Sequence, residues 1–112
     1  MKKSLKDLVN LIGGYAFKSE LYQNSGIRVI RIANVQDGYI SDESPCFYPL
    51  SYKDEIGQAL LHENELLMSL TGNVGRVALL TKELLPAGLN QRVACLRTNN
   101  SLLCKEIYYE TI

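Results

Sequence analysis

Histidine and paired cysteines, the usual raw material of metal centres and disulfide frameworks, are scarce in this chain. Its 112 residues hold one histidine, His62, and three cysteines, Cys46, Cys95 and Cys104, with no C-x-x-C pairing. An odd, scattered set gives no disulfide framework, and Cys95, inside an apolar run, reads as a small buried hydrophobe. A zinc site would need unusual ligands, so neither a metal nor another cofactor is expected. No apolar stretch approaches the roughly 20 residues that span a bilayer. The N-terminus does not read as a signal peptide, because Lys6, Asp7 and Asn10 interrupt any apolar core after Met1-Lys2-Lys3. The expected location is the cytoplasm. Repeats, low-complexity segments and linkers are absent too.

What is present fits one domain spanning residues 1–112. An apolar fraction of 46% and a charged fraction of 21% are those of an ordinary globular protein. The formal net charge is zero, from twelve cations and twelve acids, which argues against indiscriminate binding to polyanions. The charges are uneven along the chain. Residues 1–36 carry a surplus of four positive charges, residues 37–65 a surplus of six negative, and the remainder a surplus of two positive. If the first and last thirds fold together, one face becomes basic and the opposite one acidic; the other reading is scattered, solvated charge.

The richest stretch is Glu65-Leu-Leu-Met-Ser-Leu-Thr-Gly-Asn-Val-Gly-Arg-Val-Ala-Leu-Leu80. Leu66–Leu70 and Val77–Leu80 have the length of buried strands, joined by a loop that glycine frees from steric limits. Gly72 and Gly75 make no nucleotide-binding P-loop, since no Gly-Lys-Ser/Thr follows them. Ser4 and Asp7 resemble a capping box, and Leu5, Leu8, Val9 and Ile12 mark a short amphipathic helix ended by Gly13-Gly14. Ile27–Ile32 is strongly β-forming, and Asp37-Gly38 supplies a hairpin turn returning through Tyr39-Ile40. Cys46–Tyr48 forms a further extended piece, and residues 52–61 a short helix weakened by Gly57. Pro86 and Gly88 mark a loop before a strand over Arg92–Thr98. Ser101 caps a last helix, Leu102–Thr111. The predicted fold is α+β: a twisted, mostly antiparallel sheet with hairpins, flanked by short N- and C-terminal helices.

Four pieces in order carry a resemblance. They are Gly14-Tyr-Ala-Phe-Lys-Ser19, Gly26-Ile-Arg-Val-Ile-Arg-Ile-Ala-Asn-Val-Gln-Asp-Gly-Tyr-Ile40, Leu66-Leu-Met-Ser-Leu-Thr-Gly-Asn-Val-Gly-Arg-Val-Ala78 and Asn90-Gln91. Together they resemble the target recognition domain of the DNA specificity subunit of type I restriction–modification systems, from about Leu5 onward. The resemblance implies a non-catalytic domain that reads one half-site of duplex DNA. It also implies methyltransferase subunits and a restriction subunit as partners; apart from the resemblance, a homodimer is a separate option. Such subunits usually hold two recognition domains separated by long helices. Against that pattern this chain reads as one domain cut in its closing helix, without the spacer helix or second domain.

Residue chemistry then singles out the candidates. Arginine can bind guanine bidentately, and Asn or Gln can do the same to adenine, each pair worth ~1–3 kcal/mol of discrimination. Arg31, Asn34, Gln36, Asn73 and Gln91 are the candidates for base edges, and Lys18, Arg76 and Arg92 for phosphates that set register; Thr71 serves either purpose. Arg28 and Arg31 differ by an odd number of positions, so a regular strand lets at most one face the DNA. For each, the competing role is a stem packed on the sheet. Asn90 reads as a structural amide, and Tyr15, Phe17 and Tyr22 as core. Glu63 and Glu65 read as solvated turn carboxylates, with no histidine or metal cluster to make them acid–base catalysts. A rival function is an interaction module that docks on a methyltransferase or on its own copy without reading DNA.

Overall fold

The computed structural model describes residues 10–70 and 76–97. Among them are seven strands: β1 (Asn10–Ile12), β2 (Ile27–Ile30), β3 (Phe47–Tyr48), β4 (Leu66–Ser69), β5 (Val77–Leu79), β6 (Ala87–Leu89) and β7 (Val93–Arg97). One four-residue helix, α1 (Lys53–Ile56), lies between β3 and β4, among several 3₁₀ turns. The architecture is α+β, as expected, but the strands divide between two sheets. One has the order β1-β7-β4-β5 and is antiparallel throughout; the other has the order β3-β2-β6. Within the second, β2 pairs antiparallel with β3 and parallel with β6.

The apolar runs behave as their composition demands. Leu66 and Leu67 of β4, Val77 and Ala78 of β5, and Val93, Ala94 and Cys95 of β7 are all buried. Both sheets feed one core, in which Ile27, Val29, Ile30, Tyr48 and Leu89 meet Leu67, Leu80, Val93 and Cys95. Tyr48, fully buried, is its aromatic hub: Phe17 and Tyr52 approach it edge-on at ring-centroid distances of 4.8 and 5.0 Å, and Tyr15 and Tyr22 at 6.4 and 6.2 Å. Tyr15, Phe17 and Tyr22 are thus core aromatics.

Four local expectations are corrected. The N-terminal helix does not extend over Asn10–Ile12, which forms β1 against β7, with Ile12 opposite Cys95. Leu11 is 66% exposed, while Ile12 is half-buried and packs against the core. Three residues are too few to carry a helix, and the free edge of β7 decides their conformation. The rest of that helix and the closing helix lie outside the described residues. Secondly, the Asp37-Gly38 turn forms, with Gln36 N–H donating to Tyr39 O at 3.0 Å and a bridge between Val35 and Ile40, but it does not fold back along β2. The antiparallel partner of β2 is β3.

Thirdly, the helix expected over residues 52–61 stops at Ile56, because Gly57 takes a left-handed φ of +57°. Fourthly, the residues around Gly88 are a buried strand, β6, and not a loop. A Cβ on Gly88 would stand 2.7 Å from the Phe17 ring, so this glycine makes room for an aromatic instead of a turn. Among the described residues no helix is long and apolar enough to cross a membrane.

Candidate functional site

Strand direction gathers three chain segments at one end of the molecule. Because β2 and β6 are parallel, both leave their sheet at the same end, where Asn90 N–H donates to Ile30 O at 3.1 Å. After β6 the chain turns at Gln91-Arg92 into β7, with Arg92 in the left-handed region at φ +72°. The Arg92 carbonyl accepts the Leu70 N–H at 2.9 Å, placing this turn beside the end of β4. Ser69 N–H donates to Arg76 O at 3.0 Å and closes the β4–β5 hairpin just inside its loop. The turn over residues 35–40 docks on the same corner, where Gly38 N–H reaches Val77 O at 3.0 Å. The rim so formed carries Gln36, Arg76, Gln91 and Arg92, with the exposed apolar side chains of Tyr39 (59%) and Leu70 (46%). Thr71 and Asn73 lie outside the described residues.

The other candidates are placed differently. Asn34 is only 5% exposed and spends its amide on its own loop. Its Oδ1 accepts the Arg31 N–H at 2.8 Å, its Nδ2 donates to Ser41 O at 3.0 Å, and its carbonyl accepts the Ser41 N–H at 2.7 Å. Arg31 is half-buried and donates from Nη2 to Ser44 O at 2.6 Å. Both residues therefore hold the 31–44 segment together. They line a cleft of about 350 Å³ with Gln36, Tyr39, Ser41 and Glu43. Gln36 and Arg76, forty positions apart, meet directly: Arg76 Nη1 donates to Gln36 Oε1 at 3.2 Å. Gln91 and Arg92 are exposed. Lys18 is exposed too, but its backbone N–H donates to Tyr48 Oη at 3.3 Å, over the aromatic cluster and not at the rim.

Two ion pairs went unforeseen in the sequence. Glu65 is 7% exposed, not solvated, and its carboxylate meets the Arg97 guanidinium. Burial pushes the Glu65 carboxyl up, but donation from Arg97 and the His62 N–H outweighs this and holds it below the usual glutamate value. The same contact raises Arg97. Arg28 pairs with Asp42 and lies over the Phe47 ring, 4.9 Å from its centroid. Acids of the middle third thus neutralise arginines of the other two at these points, where separate basic and acidic faces were one expectation. Further off, Tyr15 Oη donates to Glu55 at 2.9 Å, which pushes its phenol up to about 12. Among the described residues no three His, Cys, Asp or Glu side chains come together as metal ligands.

Comparison with known proteins places this geometry in a class. The fold is shared with the HsdS subunit of Thermoanaerobacter tengcongensis: the TM-score is 0.62 at 22% identity, over 94% of this chain and 25% of that one. It is also shared with a chain of a type I R-M system solved for its complex assembly and conformational transition. There the TM-score is 0.63 at 20% identity, over 95% of this chain and 26% of the other. In sequence, the chain is 34% identical over 94 residues to the type I restriction enzyme EcoAI specificity subunit of Escherichia coli, covering 80% of this chain and 16% of that protein. The family model for the type I restriction modification DNA specificity domain matches residues 1–111. The chain belongs to that family. It spans about a quarter of the length of these structural relatives and 16% of the curated one.

Proposed function

We propose that this domain reads one half-site of duplex DNA for a type I restriction–modification system and has no catalytic activity of its own. The observation that carries the reading is the convergence of residues 35–40, Leu70, Arg76 and residues 90–92 at one end of the two sheets. Cationic and amide side chains stand together there, beside the exposed Tyr39 and Leu70. Arg76 and Arg92 supply phosphate contacts that fix register, and Gln91 stands where a base edge can be read. Thr71 and Asn73 are further candidates for contact with the duplex. Lys18 contributes a phosphate contact only to DNA that also reaches the aromatic side of the domain. Arg31 and Asn34 act by holding the loop that carries Gln36.

Methyltransferase and restriction subunits are the partners, in the cytoplasm where the DNA lies. Residues 1–112 supply one recognition module, and a second half-site comes from another such module. One half-site binds weakly, and linking two multiplies the affinity.

Selection from randomised duplexes at moderate salt tests the reading. A short enriched motif is the expected result, with a salt slope falling by about 0.9 for each of Arg76 and Arg92 changed to Ala. No enrichment at any salt, together with self-association or methyltransferase binding, would replace it with the interaction-module reading.

A further inference from the structure

We propose that Gln36, which sequence chemistry marks as a reader of adenine, instead acts on DNA through Arg76, as the residue that aims its guanidinium. The inference rests on the recognition reading above and concerns how that site is built.

The Gln36 amide is committed at both ends. Its Nε2 donates to Ala33 O at 2.8 Å and its Oε1 accepts from Arg76 at 3.2 Å. A carbonyl only accepts and a guanidinium only donates, so the partners fix which way the amide points, and a flipped amide would lose both bonds. A bidentate contact to adenine needs the same two atoms turned outward.

The loop under Gln36 is fixed as well. Asn34, buried below it, ties Arg31 to Ser41. Gln36 N–H closes on Tyr39 O, and Gly38 N–H is anchored to Val77 O, one residue beyond Arg76. The separation between the Gln36 amide and the Arg76 backbone is therefore set by two main-chain attachments. A long arginine side chain is otherwise free to sample many rotamers. Here one of its five N–H donors is held by Gln36, and the guanidinium plane has a defined direction at the rim.

Positioning and direct reading predict different binding data. The full chain is measured against its selected duplex and against a random-sequence duplex pool by fluorescence anisotropy at several salt concentrations. The variants are Gln36→Ala, Gln36→Glu, Arg76→Ala and Gln36→Ala/Arg76→Ala. For positioning, Gln36→Ala weakens both duplexes by the same factor, about three- to tenfold, as for one partly exposed hydrogen bond. The enriched motif stays the same, and Gln36→Ala costs nothing further once Arg76 is alanine. Gln36→Glu keeps the shape of the contact but gives Arg76 an anion, so it lowers the salt slope by about 0.9, as Arg76→Ala does.

A changed motif in Gln36→Ala, or an undiminished loss in the Arg76→Ala background, overturns the proposal and leaves the recognition reading standing. So does an Arg76→Ala variant that binds as well as the parent. Should Gln36→Ala melt early, the motif selected by Gln36→Glu decides: an unchanged motif supports positioning and a changed one direct reading. A parent chain that binds no duplex removes both readings.

Discussion

Glu65 faces Arg97 one step beyond the Leu66–Leu96 pairing of β4 and β7, and two hydrogen bonds join their side chains. Glu65 Oε1 accepts from the His62 N–H at 2.7 Å and from Arg97 Nη2 at 2.9 Å, while Oε2 meets Arg97 Nε. Arg97 turns its other donors to Gln58 O at 2.9 Å and Leu60 O at 3.0 Å. Changing Glu65 to Ala leaves a partly buried guanidinium with its anion removed. The expected cost is about 2–4 kcal/mol, below the full penalty of a sealed pair because the Arg97 side chain stays 23% exposed. Urea unfolding measures it, and a loss under ~0.5 kcal/mol would show the pair to be worth no more than a surface contact.

The same pair makes stability depend on acid. The folded Glu65 carboxyl lies below its unfolded value, so its contribution is complete above about pH 4.3 and disappears as pH falls through the folded value. The parent protein should lose melting temperature over that acid limb, and Glu65→Gln should flatten it. Identical acid limbs in both proteins would assign the effect to other carboxylates.

Asn34→Ala removes the acceptor for the Arg31 N–H and the donor to Ser41 O in a buried position. The expected loss is about 1–3 kcal/mol. Asn34→Asp keeps the acceptor and loses the donor, so it should fall between parent and alanine. Thermal melts of the three proteins give the ranking directly.

Gly13 and Gly14 are adjacent but unequal. A Cβ on Gly14 would stand 1.9 Å from the Asn90 carbonyl oxygen, while one on Gly13 meets nothing within 4 Å. Gly14→Ala must push apart two backbones and should cost about 3 kcal/mol; Gly13→Ala should stay within about 0.5 kcal/mol of the parent. Equal melting temperatures for the two variants would contradict the packing of residue 14 on residue 90.

Those two glycines also show what a sequence can and cannot disclose. As a Gly-Gly pair they read as a helix stop, because local chemistry says nothing of Asn90 on the opposite segment. Strands β4, β5 and β7 were legible because each is a buried apolar run. β1 is mostly exposed and β6 carries Gly88 just after Pro86, so neither reads as an apolar run, and each is held by pairing with a neighbouring strand. Glu65 looked solvated beside His62 and Glu63, since its arginine lies 32 positions away. The rim was half legible. Residue chemistry nominated Gln36, Arg76, Gln91 and Arg92, but not that Gln36 and Arg76 touch, nor that Asn34 is enclosed.

The parallel seam between β2 and β6, with Arg28 opposite Ala87, has a consequence for assembly during synthesis. Everything from residue 31 to 86 must be drawn into a closed loop before the seam can form, and such long-range closure is entropically costly and slow. A ribosome-bound chain that has already emitted Arg76 still lacks the strand that sets the Gln91-Arg92 turn against β4. The rim is therefore completed late, and an unfinished chain has the ingredients of the interface without its shape.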